Sequence, residues 1–124
     1  MRHLVRFFCC LTLISASAGV FAADPVLVYV YQDSCGACRK FDAEVGSIYP
    51  KTGEGQAMPI TKVSLDDWRA GKHPFQGCSR SAVFGTPTFL LIQDCTETDR
   101  ITGYSSDELF WLAVARMKNS LLSP

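Results

Sequence analysis

Six consecutive apolar residues, Val26 to Tyr31, give the first strong structural signal in the chain. An uninterrupted run of β-branched, aliphatic and aromatic side chains is the pattern of a strand covered on both faces. Polar Gln32, Asp33 and Ser34 then bring the chain to the surface, and Ser34 is the expected N-cap of a helix. Ala37, Arg39 and Lys40 favour that helix, and Phe41, Val45 and Ile48 fall at i, i+4 and i+7 as one apolar stripe. Pro50, Gly53 and Gly55 are expected to end it. Residues Pro59 to Leu65 predict a second strand with Val63 and Leu65 on one face. Asp66 to Gly77 has no clear period and predicts a short helix or irregular loop around Trp68, His73 and Phe75.

A third strand, Thr88 to Ile92, follows Gly85-Thr86-Pro87. Asp94 to Asp99 predicts a polar turn and Arg100 to Thr102 a short fourth strand. Asp107 to Asn119 predicts an amphipathic helix, capped by Ser105 or Ser106, with Leu109, Leu112, Ala113 and Met117 on its apolar face. The order β–α–β–(short α)–β–β–α implies an α/β three-layer sandwich. Its parallel β–α–β unit and antiparallel hairpin make a mixed four-stranded sheet flanked by helices.

Residues 1–22 follow another pattern. Arg2, His3 and Arg6 form a basic start, Phe7 to Ile14 an apolar stretch, and Val20-Phe21-Ala22 a cleavage signal. This predicts a signal peptide, since the apolar run is too short for a mature membrane span. Cys9 and Cys10 do not fit a lipoprotein site, because Phe7 and Phe8 stand where small residues are required. Cleavage after Ala22 leaves one domain, 23–124, of about 102 residues, expected as a soluble monomer in the periplasm. Without Arg2 and Arg6, ten basic side chains face twelve acidic ones. That balance, with no basic stripe, argues against nucleic acid as a partner.

Four cysteines remain, and two form the unit Cys35-Gly36-Ala37-Cys38 at a strand-to-helix junction. A thiol at a helix start faces unpaired N–H groups and the positive end of the helix dipole. Its pKa is expected to fall below the free value of about 8.5, making Cys35 the nucleophile and Cys38 the resolving thiol. A purely structural bridge would gain little from so short a loop. A four-thiolate zinc site has the right count, but Cys78 and Cys95 lack a second C-x-x-C knuckle. No metal is therefore expected, and no cofactor beyond a redox-active Cys35–Cys38 disulfide. Three connectivities are open to four cysteines. Export favours pairing, so Cys78–Cys95 is the expected second, structural disulfide, with two separately buried thiols as the alternative.

The strand, the CGAC helix start and Thr86-Pro87 at the head of a later strand together resemble the thioredoxin superfamily across the whole mature chain. Cys38-Arg39-Lys40-Phe41-Asp42-Ala43-Glu44, Tyr49-Pro50, Thr52-Gly53-Glu54-Gly55, Thr86-Pro87-Thr88-Phe89, Gly103-Tyr104 and Phe110-Trp111 are further similar to SoxS-type periplasmic thioredoxins of sulfur-oxidation clusters. The superfamily resemblance implies a cis Thr86–Pro87 bond beside the cysteines. It also implies that the Thr86 backbone pairs with an extended segment of a protein disulfide substrate. The narrower one implies a reductant for the cysteine of a sulfur-carrier protein, supplied with electrons by a membrane thiol–disulfide transporter. Ser34 stands where thioredoxins usually have Trp, and Ala37 where they have Pro. Tyr29 stands where they keep a buried carboxylate for proton transfer, so a water or Glu44 is expected to substitute.

Competing functions are a thiol reductase for apocytochrome c maturation and a non-enzymatic binding or metal-chaperone module. Gly-Ala between the cysteines carries no histidine, which predicts a potential nearer the reducing end, about −270 mV, than the strongly oxidising one near −120 mV. His73 reads as a solvated loop residue. Trp68, Phe75, Phe84 and Trp111 read as core or rim packing, with Phe75 and Phe84 as alternative parts of a substrate rim near Pro87. Arg39 and Lys40 read as a solvated helix face with a modest influence on the thiolate.

Overall fold

A computed structural model describes residues 23–121; the predicted leader, Cys9, Cys10 and the cleavage position lie outside the described residues. The strands are β1 (Val26–Tyr31), β2 (Ile60–Ser64), β3 (Thr88–Gln93) and β4 (Thr96–Thr102), in the order β2-β1-β3-β4. β1 runs parallel to β2 and antiparallel to β3, and β3 pairs antiparallel with β4. This is the mixed four-stranded sheet the pattern predicts. The helices are α1 (Gly36–Phe41), α2 (Gly53–Ala57), α3 (Leu65–Arg69) and α4 (Asp107–Leu121).

The period-2 geometry of the central strands divides the core. Leu27, Tyr29, Phe89 and Leu91 face the layer made by α1 and α4, with Phe41, Val45, Tyr49, Phe110, Val114 and Met117. Val28, Val30, Leu90 and Ile92, with Val63 of β2, face α3 and the irregular segment after it, through Leu65, Cys78 and Val83. The third layer is thus partly helix and partly irregular chain. Thr52 and Ser64 start α2 and α3 by accepting from the N–H groups of Gly55 and Asp67 at 3.0 and 3.1 Å.

The structure corrects several expected details. Cys35 itself, not Ser34, is the N-cap of α1. α1 continues into a π-helical turn, Asp42–Gly46. The wider turn shifts the apolar face by one position, so Tyr49 is fully buried while Ile48 is 52 % exposed. The glycines at 53 and 55 do not end a helix but lie in α2, where Gly55 sits so close to the Tyr49 carbonyl that no Cβ could fit. The predicted polar turn shrinks to Asp94 and Cys95, both at positive φ, and β4 begins at Thr96. The buried face of α4 is Phe110, Val114 and Met117; Leu109 and Leu112 are 59 % and 65 % exposed. Ser106 caps that helix as expected, accepting from Leu109 N–H at 3.3 Å.

Candidate functional site

β1 ends at Tyr31, and a tight turn carries the chain into α1, with the Cys35 N–H donating to the Gln32 carbonyl at 3.1 Å. Cys35 and Cys38 are joined as a disulfide with their Cα atoms 5.2 Å apart. The two sulfurs differ in surroundings. Cys35 is half-buried, whereas Cys38 is 1 % exposed and packs in the core with Tyr29 and Phe41. The Cys38 N–H points at the Cys35 sulfur, 3.1 Å away. A backbone donor aimed at that sulfur favours a thiolate there once the bridge opens. Solvent and partner molecules therefore meet Cys35 first.

Arg39 does not simply face solvent. Its guanidinium folds back on the turn, donates to the Asp33 carbonyl at 2.9 Å, and lies next to Gly36. Lys40 instead reaches across to the Ser105 carbonyl at 2.8 Å. The cation nearest the reactive turn is thus Arg39.

The Thr86–Pro87 bond is cis. β3 begins at Thr88, leaving Thr86 just outside the sheet ladder, since Pro87 has no N–H to donate. The Thr86 hydroxyl donates to Gln32 Oε1 at 3.1 Å, and Thr88 Oγ1 donates to the Gly85 carbonyl at 2.7 Å. Register explains the meeting of Thr86 and the cysteine turn. Antiparallel pairing places Val30, near the end of β1, opposite Thr88, so the chain before β3 passes beside the turn after β1.

Tyr29 lies under α1 and donates its hydroxyl to the Cys38 carbonyl at 3.2 Å. Burial, then the charge and hydrogen bonding of Asp42, push its phenol well above the ordinary tyrosine range, so it stays protonated. Asp42 is paired with Lys62 at 3.7 Å. A cavity of about 560 Å³ lined by Tyr29, Phe41, Asp42 and Lys62 reaches this group from the β2 side. The expected substitute, Glu44, is engaged elsewhere, accepting from the Tyr104 hydroxyl at 2.5 Å. Asp42, at the end of α1, is the carboxylate beside Tyr29, and sequence reasoning missed it because nothing local tells it from Glu44 two residues on.

Cys78 and Cys95 are joined as a disulfide with Cα atoms 4.4 Å apart. Phe75 lies with them and with Val26, at the end of β1 opposite Cys35, so it does not join a rim near Pro87. His73 is not a free loop side chain: it stacks on Trp68 with ring centres 4.2 Å apart and accepts from the Phe75 N–H at 3.1 Å. Phe84 is 87 % exposed, three residues before Pro87. Among the described residues, no three of His, Cys, Asp and Glu come together as a metal site, and no helix is long and apolar enough to cross a membrane.

Glu97 and Arg100 carried no signal in the sequence. Glu97 is 3 % exposed on β4 and bonds Arg100 and Arg80 at 2.5 and 3.0 Å. Burial alone would raise its carboxyl, but the hydrogen bonds and charges of Arg100 and Arg80 outweigh that and lower it.

Residues 22–118 match the family model described as a thioredoxin-like domain. The chain is 30 % identical to the periplasmic thioredoxin SoxS from Paracoccus pantotrophus in its reduced form. That likeness has a TM-score of 0.66 and covers 77 % of this chain and 96 % of the other. It is 29 % identical over 86 residues to a disulfide bond formation protein of Brevibacillus choshinensis, covering 69 % of this chain and 67 % of the relative. A Fasciola hepatica thioredoxin superposes with a TM-score of 0.54 at 25 % identity, covering 76 % of this chain and 81 % of the other.

Proposed function

The chain belongs to the thioredoxin-like family and is a thiol–disulfide oxidoreductase, and from that premise we propose that it works as an exported reductant of protein disulfides. The observation that carries the reading is the asymmetry of the CGAC pair. One sulfur is accessible and faces a backbone N–H; the other is sealed in the core directly behind it. In the reduced protein, the Cys35 thiolate attacks one sulfur of a substrate disulfide. The second substrate sulfur leaves as a thiolate and takes up a proton. Cys38 then loses its proton and attacks Cys35, releasing the first substrate sulfur as a thiol. The substrate gains two electrons and two protons, and the protein is left with the Cys35–Cys38 bridge.

Thr86 and Pro87 form the recognition edge in this reading. The Thr86 backbone, lying outside the β3 ladder, takes an extended substrate segment beside Cys35. No cofactor is needed beyond the pair itself. The likeness to periplasmic SoxS favours the cysteine of a sulfur-carrier protein as substrate and a membrane thiol–disulfide transporter as electron donor. Residues 1–22 act as a signal peptide, and the secreted form is a monomer beginning at Ala23. The potential falls near the thioredoxin value of about −270 mV; a measured value above about −150 mV rejects the reductant role.

A Cys38→Ser variant expressed in its native compartment tests the partner. It retains the attacking sulfur without the resolving one, so the substrate accumulates as a mixed disulfide through Cys35. A sulfur-carrier protein in that adduct supports the reading, and an apocytochrome c reassigns the substrate. Absence of any adduct, with no insulin-disulfide reduction by the wild type and stoichiometric metal retention, replaces the enzyme with a binding module.

A further inference from the structure

The segment that runs from the second disulfide to Pro87 is held at nearly every residue, yet it carries one large apolar side chain out into water. The Glu97 N–H donates to the Cys78 carbonyl at 2.9 Å, and Cys78 is bridged to Cys95. Arg100 donates to the Ser81 and Ala82 carbonyls at 3.0 and 2.9 Å, and Val83 is buried. Thr88 fixes the Gly85 carbonyl, Gln32 fixes the Thr86 hydroxyl, and the Gly103 N–H donates to the Pro87 carbonyl at 2.8 Å. Between these anchors Phe84 stands 87 % exposed.

A β-bulge in β4 makes the clamp possible. The register passes from Leu91 opposite Asp99 to Ile92 opposite Glu97, leaving Thr98 as the extra residue. In a regular strand, residues 97 and 100 would point to opposite faces. The bulge brings them to one face, where the buried Glu97 carboxylate fixes the Arg100 guanidinium that holds the two carbonyls.

Single exposed apolar side chains are ordinary on protein surfaces. Phe84 differs from Leu109 and Leu112 in being two residues from Thr86, whose hydroxyl contacts the residue that anchors the Cys35 N–H. It is continuous with the proposed recognition edge. We propose that Phe84 determines substrate specificity and that Glu97, acting through Arg100, is the positioning residue that presents it. The substrate segment it fits is extended and carries a large aliphatic or aromatic side chain close to its half-cystine. This rests on the reading of Thr86 and Pro87 as the recognition edge.

The test uses two peptide disulfides of equal length, one with leucine and one with serine flanking the half-cystine, each reduced by the recycled enzyme. Covering about half of a phenylalanine side chain corresponds to about a five- to tenfold preference in KM for the leucine peptide. Phe84→Ala is expected to abolish that preference. Glu97→Gln, assayed where circular dichroism shows it folded, is expected to raise KM for the leucine peptide with kcat retained. Arg80→Ala, which removes only the exposed partner of Glu97, is expected to have a smaller effect in the same direction. Equal preference in wild type and Phe84→Ala, or a Glu97→Gln loss that falls on kcat for both peptides, overturns the inference. If wild type reduces neither peptide, the reductase reading fails instead.

Discussion

Tyr29→Phe removes one oxygen from the core and asks whether that hydroxyl serves packing or proton transfer. The phenol ring keeps its contacts with Phe41 and Phe89, whose centroids both lie 4.9 Å away. What is lost is the bond to the Cys38 carbonyl at 3.2 Å and the hydrogen bonding with Asp42. A neutral hydrogen bond contributes about 0.5–1.5 kcal/mol. The cost here stays within about 2 kcal/mol, because neither partner is orphaned: the carbonyl also accepts from the Asp42 N–H, and the Asp42 carboxylate is half-exposed and paired with Lys62. In a domain of this size, each kcal/mol moves the melting midpoint by about 4–8 °C. Because the buried phenol is held protonated well above neutral pH, it cannot accept the proton that Cys38 must lose. The pH profile of insulin reduction should therefore keep its shape. Tyr29→Asp behaves differently, since it buries a carboxylate close to the like charge of Asp42 and costs several kcal/mol or fails to fold. Urea titrations of both variants and a pH–rate profile of Tyr29→Phe check this. A loss above about 2.5 kcal/mol in Tyr29→Phe, a moved acid limb, or full stability of Tyr29→Asp at neutral pH would refute the reasoning.

Gly55→Ala should cost at least about 3 kcal/mol in urea titration, because the new Cβ meets the Tyr49 carbonyl rather than a movable side chain. Gly46→Ala, where only ordinary contacts await, should stay within about 1 kcal/mol of wild type. Val114→Ala should cost about 2 kcal/mol and Leu112→Ser less than about 0.5 kcal/mol; the reverse ranking would mean α4 buries the other face. Stability should fall at both pH extremes. Glu97 is depressed when folded, so its contribution is present above the ordinary carboxylate value of 4.5 and is lost as pH drops through its folded value. Tyr29, Tyr49 and Tyr104 are raised, so stability is full below the ordinary tyrosine value of 10.0 and declines as pH climbs beyond it. Thermal midpoints across pH, with Glu97→Gln as the acid-limb control, read both.

The elements whose signals are local were legible in the sequence. β1 is a continuous apolar run, the CGAC turn is a spacing, and Pro87 punctuates the head of β3. Each depends on neighbouring residues only. What could not be read depends on geometry set elsewhere. The stripe of Phe41, Val45 and Ile48 assumes 3.6 residues per turn, and the π turn at Asp42–Gly46 invalidates that count for Ile48. α4 offers two apolar faces, and only its packing on Leu27, Tyr29, Phe89 and Leu91 of the sheet selects Phe110, Val114 and Met117. β4 shows no alternation because its inward positions hold Glu97 and Arg100, which bond each other and a loop about twenty residues away. A paired buried charge looks like a polar turn until its partner is located. Glu44 and Asp42 lie two positions apart, and only the packing of α1 over Tyr29 shows which of them stands beside it.

The two disulfides should separate cleanly in a reductant titration, and the reason lies in loop length and access. Cys35–Cys38 spans a sequence separation of 3 and Cys78–Cys95 one of 17. On the chain-entropy account the longer loop contributes about 3 kcal/mol to the folded state and the shorter about 2 kcal/mol. Access widens the gap. The Cys35 sulfur is half-exposed, whereas Cys78 is nearly buried against Val28 and Leu90, leaving Cys95 as the only entry. Opening the second bridge also loosens the strap to Pro87, because the Cys78 carbonyl is tied to β4 beside it. Two free thiols should therefore appear first at Cys35 and Cys38, with the smaller loss of stability of the two. The second pair should open only at more negative potential and together with a fall in stability. Alkylation and mass spectrometry at stepped potentials give the order directly. Simultaneous opening of all four thiols, or earlier release of Cys78 and Cys95, would mean that the second bridge is part of the electron-transfer chemistry rather than a tie that holds the segment leading to Pro87.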